Sequence, residues 1–431
     1  MSSHSLLDEL GWRGLLYQHT EGLADALSAG AVSGYAGFDP TAPSLHVGNL
    51  IPVMGLVHLQ RHGHRPIVLV GGGTGLIGDP SGRSTERQLA TAETVAANAG
   101  AIRDQLARFM DFDGKHAAVM RNNADWLPQL SAIEFMRDVG KHFTINYMLQ
   151  KDSVKSRLDG GISYTEFSYM LLQAYDFLEL WRRDGVTLQL GGSDQWGNIT
   201  AGIELIHRAE GTDAQGHALT LPLVTTASGA KFGKSEAGAV WLDPNLTSPY
   251  RFYQYWINAD DRDVGKYLRF FTLMPREEIE ALDRALTEHP EQRDAQRALA
   301  REMTERAHGA GALRAAEEVS GFYFGGLDPR ALSDAALAQL STDAPFVEVV
   351  EADVAGEAAG QLDVFKLLTA AGIAASNGAA RRLLEQGGVS VNKRKLASGE
   401  RFVDGAAELL TGRHVILGKG KREYALVRIR A

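Results

Sequence analysis

Apolar and polar positions fall into two regimes along this chain. In the first half, short runs rich in β-branched and other apolar residues recur at Ser33–Asp39 (SGYAGFD), Pro66–Gly71 (PIVLVG), Ala117–Arg121 (AAVMR) and Val186–Leu190 (VTLQL). Stretches with helical spacing lie between them, such as Leu50–Arg61 and Thr91–Met110. Near-continuous apolar strands alternating with helices predict an α/β fold built on a doubly wound parallel sheet. From about Leu246 to Phe324 the strand signals vanish and amphipathic helices dominate, for example Arg276–Leu286 and Arg293–His308. A stretch rich in Ala, Asp and Glu, about 328–360, reads as a connector, and the last 70 or so residues read as a small α+β unit. The expected organisation is an α/β domain over 1–225, a helical domain over 226–330, a linker over 331–360 and the small domain over 361–431.

Two predicted strands end in glycine-rich turns, Gly71-Gly72-Gly73-Thr74-Gly75 and Gly191-Gly192-Ser193-Asp194-Gln195. Ligands of open α/β sheets bind at the carboxyl ends of strands, so two such turns favour a nucleotide site there. A lone glycine run would say less, because glycines also simply make turns.

Composition narrows the chemistry. The 431 residues include no cysteine, which excludes disulfides, thiolate metal sites and a cysteine nucleophile. No stretch approaches the roughly 20 apolar residues of a membrane span. The start, SSHSLLDELGWRGLLYQHTEG, lacks the pattern of a signal peptide, so a cytoplasmic location is expected. Charge is informative once divided. From Gly360 onward 13 Lys+Arg stand against 6 Asp+Glu, an excess of +7, whereas the whole chain carries −9 and residues 1–359 therefore −16. A basic tail behind an acidic body fits a phosphate-rich partner. Charge alone does not separate that from a solvated basic face.

Two segments carry candidate chemistry. Phe38-Asp39-Pro40-Thr41-Ala42-Pro43-Ser44-Leu45-His46-Val47-Gly48-Asn49-Leu50 joins the first strand to a helix and puts His46, Gly48 and Asn49 at the helix N-terminus, where amides and dipole favour phosphate. Alone, His46 reads first as a capping or packing histidine. The second segment, Lys231-Phe232-Gly233-Lys234-Ser235, sits in the glycine-rich stretch TTASGAKFGKSEAG. Two lysines three apart in a mobile loop can clamp polyphosphate and stabilise charge that develops during phosphoryl or adenylyl transfer; a lone KxxK is more often a solvated loop. A third signal is YMLLQAYDF, which sets Tyr169, Gln173 and Asp176 at i, i+4 and i+7, a polar stripe on an otherwise apolar helix.

HVGN and KFGKS, in this order and about 185 residues apart, resemble the HIGH and KMSKS signatures of class I aminoacyl-tRNA synthetases. Together with GFDPTAPSLHVGNL, GDPSG, LQAYDF and GGSDQWGN they resemble the bacterial tyrosyl-tRNA synthetase family along essentially the whole chain. The resemblance implies a Rossmann-like catalytic domain, ATP and L-tyrosine as substrates and tRNA(Tyr) as partner. It implies Mg²⁺ carried in with ATP rather than held in a protein metal site, and a homodimer formed through an insertion at about 125–160. It assigns Tyr35 and Asp176 to the substrate phenol, and Tyr169, Gln173 and Asp79 to its ammonium group, with Gln189 nearby. It puts Gly37, Asp39, His46, Gly48, Asn49, Gly191, Asp194, Gln195 and Lys234 on ATP and the adenylate. Thr41, His46, Asn49, Arg83, Arg87, Lys231, Lys234 and Ser235 would act on the reacting phosphates.

The basic tail, FKLLTAAGIAASNGAARRLLEQGGVSVNKRK, is similar to a small RNA-binding module shared with a ribosomal protein and pseudouridine synthases. Arg381, Arg382, Lys393, Arg394 and Lys395 would meet the RNA backbone, contacts that position rather than specify. The chain departs from the family pattern twice: Asn49 stands at the second histidine of the HIGH-type motif, and Arg83 stands where a lysine often follows GDPSG. An asparagine amide still donates a hydrogen bond, whereas Lys and Arg differ as phosphate donors. Two rivals share parts of this pattern. One is a tryptophan-activating enzyme, opposed by Tyr35 with Asp176. The other is an RNA-binding protein that has lost catalysis, opposed by KFGKS, Asp79, Gln173 and Asp194.

Overall fold

The computed structural model describes residues 5–79, 91–151, 154–155, 158, 160–229, 232–235, 238–420 and 423–430. The chain forms two compact units, Met1–Asp243 with Ala259–Leu299, and Pro244–Asn258 with Ala300–Ala431.

The first unit is built on six strands: β1 (Gln18–His19), β2 (Ser33–Phe38), β3 (Arg65–Val70), β4 (Val119–Asn122), β5 (Val186–Gly192) and β6 (His217–Leu221). Their order is β1-β6-β5-β2-β3-β4. Every neighbouring pair is parallel except β1 with β6. The sheet is the doubly wound arrangement expected from the strand–helix alternation. The chain builds outward from β2 through β3 to β4, then returns to lay β5 and β6 on the other side. The switch point lies between β2 and β5, and a ligand crevice opens at their carboxyl ends. Helix Leu50–Arg61 covers the sheet with nine of its twelve residues buried. It can lie close because β2 has no side chain at Gly34, where a Cβ would press on Leu59 and Leu188. Helix Tyr164–Asp184 starts on a Ser163 cap and stops at Gly185 in the left-handed region, both ordinary end signals.

A short antiparallel pair, β7 (Lys234–Ser235) with β8 (Gly238–Ala239), follows in the first unit. In the second unit, β9 (Phe346–Val350), β11 (Val389–Val391), β12 (Arg394–Lys395), β14 (His414–Lys419) and β15 (Glu423–Arg430) form a sheet in the order β12-β11-β14-β15-β9, and β10 (Gln361–Asp363) pairs with β13 (Phe402–Asp404). This corrects one expectation. The stretch 331–360, read as a linker, carries helix Asp334–Asp343 and β9, which pairs in parallel with β15. Leu337 and Leu340 of that helix share an apolar cluster with Phe322, Leu410, Ile416 and Leu426, so the small domain's core begins well before residue 361.

Candidate active site

A cavity of about 360 Å³ occupies the switch point. Along one face of β2, Tyr35 and Gly37 line it, and Asp39 follows at the strand's end. Helix Tyr164–Asp184 presents Tyr169, Gln173 and Asp176 to the same space. Gln189, Gly191, Asp194 and Gln195 enter from β5 and the turn beyond it, and Thr41, His46, Gly48 and Asn49 from the turn after β2. Asp79 completes the lining.

The deep end is enclosed. Asp176 is 2% exposed. Its Oδ1 accepts the Trp126 indole N–H at 2.7 Å, and its Oδ2 accepts the Asn123 amide at 2.8 Å. Burial pushes the Asp176 carboxyl up to about 7, against the opposing pull of those two donors. The Tyr35 ring packs edge-on against Phe177. Its hydroxyl is buried without a hydrogen-bond partner among the described residues, and so is Gln189 Oε1, on the residue that faces Tyr35 across the β2–β5 ladder. Burial, and then the Asp176 carboxylate, raise the Tyr35 phenol well above its ordinary range. A buried hydroxyl lacking a partner costs free energy, so this end offers a polar ligand group a hydrogen bond that the described residues do not make.

The middle of the cavity is a network. Gln195 Nε2 donates to Asp79 Oδ2 at 2.9 Å, and Asn198 Nδ2 donates to both Gln173 and Gln195 at 3.1 Å. Thr74 Oγ1 donates to Asp39 Oδ1 at 3.0 Å, and the Tyr169 hydroxyl lies 3.5 Å from Asp39 Oδ2. Only glycine fits at position 71, because a Cβ there would collide with Asp39 and Thr74. Burial, then Asp79, raise the Asp194 carboxyl. A carboxylate-rich middle suits a cation, and an ammonium group is the obvious match.

At the mouth the two signature segments come together. The Asn49 Oδ1 accepts the His46 backbone N–H at 3.0 Å, which leaves the Asn49 Nδ2 to donate outward. Val47 N–H donates to the Val240 carbonyl at 2.9 Å, and Leu242 N–H to the Leu45 carbonyl at 2.8 Å. The Trp241 ring sits 5.8 Å from that of His46. Lys234 is exposed in a short hairpin, β7 (Lys234–Ser235) with β8 (Gly238–Ala239).

Residues 28–324 match the family described as tRNA synthetases class I (W and Y), and residues 337–427 match the tyrosine--tRNA ligase SYY-like C-terminal domain. The chain is 53% identical to a tyrosine--tRNA ligase of Roseiflexus castenholzii, with 99% of each chain covered. It is 51% identical to one of Streptomyces coelicolor, covering 98% of this chain and 99% of that one. Among solved structures, a C-terminally truncated mitochondrial tyrosyl-tRNA synthetase of Aspergillus nidulans aligns with a TM-score of 0.65 at 31% identity, over 72% of this chain and 92% of the other. The chain belongs to the class I tyrosyl-tRNA synthetases. Tyrosine–tRNA ligation with ATP is therefore its reaction.

Of the positions expected to serve a tyrosyl-tRNA synthetase, the cavity gathers Tyr35, Gly37, Asp39, Thr41, His46, Gly48, Asn49, Asp79, Tyr169, Gln173, Asp176, Gln189, Gly191, Asp194 and Gln195. Arg83, Arg87 and Lys231 lie outside the described residues, as does the side chain of Ser235. Sequence reasoning missed Asn123 and Trp126, which grip Asp176, together with Thr74 and Asn198. The run Asn122-Asn123-Ala124-Asp125-Trp126, at the end of β4, was the signal for the first pair.

Two of the five basic residues assigned to RNA are occupied elsewhere. Asn392 and Lys393 form a tight turn with positive φ between β11 and β12, and this turn carries the Lys393 ammonium onto the Phe322 carbonyl and over its ring. Arg394 pairs with Glu400 and the buried Glu408. Arg381, Arg382 and Lys395 remain exposed, Arg381 beside Glu385.

Proposed function

We propose that tyrosine enters with its phenol against Asp176 and Tyr35 and its ammonium group among Tyr169, Gln173 and Asp79. The observation that carries this reading is the partnerless Tyr35 hydroxyl beside a buried, doubly hydrogen-bonded carboxylate. A substrate phenol would donate to Asp176 and accept from Tyr35. Phenylalanine would leave both groups desolvated and unpaired; this enzyme family is itself the standard example of such discrimination. The tyrosine carboxylate then faces the mouth. One of its oxygens attacks the α-phosphorus of ATP in line, forming the acyl–phosphate bond as the bond to pyrophosphate breaks.

No covalent enzyme intermediate is needed, because positioning and electrostatic stabilisation suffice. Gly37, Asp39, Gly48, Gly191, Asp194 and Gln195 hold the adenosine and adenylate. Thr41, His46, Asn49, Arg83, Arg87, Lys231, Lys234 and Ser235 stabilise the pentacoordinate phosphorus and the leaving pyrophosphate. Mg²⁺ enters on ATP, in keeping with its usual reliance on phosphate oxygens and water. The terminal adenosine of tRNA(Tyr) attacks the tyrosyl carbonyl, and AMP departs.

The deciding experiment is amino-acid-dependent ATP–pyrophosphate exchange with tyrosine, phenylalanine and tryptophan in parallel, without tRNA. Exchange with tyrosine alone is expected; exchange with tryptophan, or none, overturns the pocket assignment.

The chain acts as a cytoplasmic homodimer in this reading. Ile133, Met136, Ile145, Leu158 and Tyr164 are large apolar residues exposed in or beside the 125–160 segment, an unusual density of such residues for a free surface. No helix among the described residues is long and apolar enough to cross a membrane. The small domain would bind tRNA through Arg381, Arg382 and Lys395. Removal of residues 361–431 should abolish tRNA charging while pyrophosphate exchange continues, and should lower the melting temperature because Leu337 and Leu340 lose Leu410, Ile416 and Leu426.

A further inference from the structure

One helix, Asp261–Phe271, holds the chain at Thr225 and Ala227, just before KFGKS, and at Phe232 within it. Asp263, Lys266, Tyr267 and Phe271 stand at i, i+3, i+4 and i+8, a spacing that brings them to one side. Asp263 Oδ2 accepts the Ala227 backbone N–H at 2.8 Å, and its Oδ1 lies 3.4 Å from Lys266 Nζ. Lys266 Nζ donates in turn to the Thr225 carbonyl at 2.9 Å. These two side chains close a ring over Thr225–Ala227, just before the motif. Within the motif, the buried Phe232 ring stacks on Phe271, with centroids 5.1 Å apart and planes 3° from parallel, and leans on Tyr267 at 5.2 Å.

The grip continues into the catalytic turn. Gly233 has φ +83° and lies so near the HVGN backbone that a Cβ would stand 3.0 Å from the Gly48 nitrogen. Its carbonyl accepts the Val240 N–H at 3.0 Å, and the Val240 carbonyl accepts the Val47 N–H. Asp263 itself is only 4% exposed. A carboxylate is costly to bury unless hydrogen-bonded, and here its partners are a loop amide and the lysine that holds the same loop. None of the four platform residues lines the substrate cavity.

We propose that helix Asp261–Phe271 is the platform that sets the position of Lys234, with Asp263, Lys266, Tyr267 and Phe271 as positioning residues for adenylate formation. The proposal rests on reading KFGKS as the group that stabilises the departing pyrophosphate. Such stabilisation depends on placement, and a misplacement of about 1 Å costs on the order of 100-fold in rate.

The test is single-turnover formation of tyrosyl-adenylate by the full chain, with tyrosine affinity measured separately without ATP. Asp263→Ala and Lys266→Met should slow adenylate formation by about 10- to 100-fold while the Kd for tyrosine stays within about twofold. Combined with Lys234→Ala, each should add little, because the platform acts through that lysine. A full-sized additional loss in the double variants would overturn the proposal, as would parallel loss of tyrosine affinity. Lys234→Ala alone tests the underlying reading: an undiminished rate there removes the loop's catalytic role, and the platform with it. A slow Lys234→Ala beside wild-type rates in both platform variants overturns the platform alone. Should Asp263→Ala fail to fold, Lys266→Met, at a partly exposed position, decides by the same criteria.

Discussion

The two ends of the cavity are built in opposite ways. At the phenol end, Asp176 and Tyr35 are buried on regular elements, one on a 21-residue helix and one on a central strand, and Asp176 is fixed by two donors. At the proposed phosphate end, the candidate residues sit on turns and a hairpin of two-residue strands whose lysine is exposed, held from behind by a helix. Selectivity among amino acids requires groups that cannot rearrange to suit the wrong substrate. Phosphate chemistry requires charge that closes around a leaving group after it has entered. Rigid burial serves the first, and an anchored but open loop serves the second.

Substitutions at the two ends should separate in kind as well as size. Lys234→Ala should give the largest effect, about 100- to 1000-fold in the rate of adenylate formation, as for loss of one preorganised transition-state donor. Its KM for tyrosine should stay near wild type; a KM effect of the same size would erase the distinction between the ends. Asp176→Ala should lower kcat/KM for tyrosine by about 100-fold through loss of a charge-assisted hydrogen bond, with tRNA binding intact in a filter assay. Wild-type adenylate formation by that variant would remove Asp176 from the pocket. Trp126→Phe deletes one of the two donors to Asp176 and keeps most of the packing, so tyrosine KM should rise by roughly tenfold with little change in kcat.

The smallest expected effect is on pH. Asp176 is raised to about 7 in the folded chain, and in the proposed binding mode its ionised form is the one that accepts the phenol hydroxyl. Tyrosine KM should therefore fall by about threefold as pH rises from 6.5 to 7.5, since the ionised fraction climbs from about a quarter to about three quarters over that range. Stability runs the other way. A carboxyl whose folded pKa is raised contributes stability that is present below its unfolded value and lost as pH climbs through the folded one. The melting temperature of wild type should thus fall more steeply between pH 4 and 7 than that of Asp176→Asn, which cannot ionise there, and equal slopes for the two would contradict the buried-charge account.

Much of the phenol end was legible in the sequence because its determinants are local. Tyr169, Gln173 and Asp176 announce themselves by helical spacing within eight residues, and Tyr35 sits in a recognisable strand. Their supports were not legible, because Asn123 and Trp126 lie some 50 residues away and meet Asp176 only once β4 is laid beside β3. The order of the sheet was likewise invisible at its margins: the two-residue β1 carries no periodicity, and β6 was not separable from its surroundings. In the tail, composition misled in both directions. The Ala- and acid-rich stretch before residue 360 conceals the five-residue β9 (FVEVV). The basic run NKRK suggested one RNA surface, whereas two residues with positive φ turn Lys393 inward. By contrast, helix Asn377–Glu385 starts on a Ser376 cap, the kind of signal that depends only on neighbouring residues.

The position of β15 has a consequence for how the chain matures as it leaves the ribosome. The first unit has all its residues by Leu299 and can close early, in keeping with the tendency of N-terminal units to fold first during synthesis. The second unit waits: β15 is made after both β9 and β14, yet it is the strand inserted between them. Until Arg430 emerges, β9 has no partner in that sheet, and Phe346 and Val350 belong to an unpaired strand. A premature stop between Lys419 and Arg430 would therefore leave a product whose first unit is complete and whose tail sheet lacks the strand that joins β14 to β9.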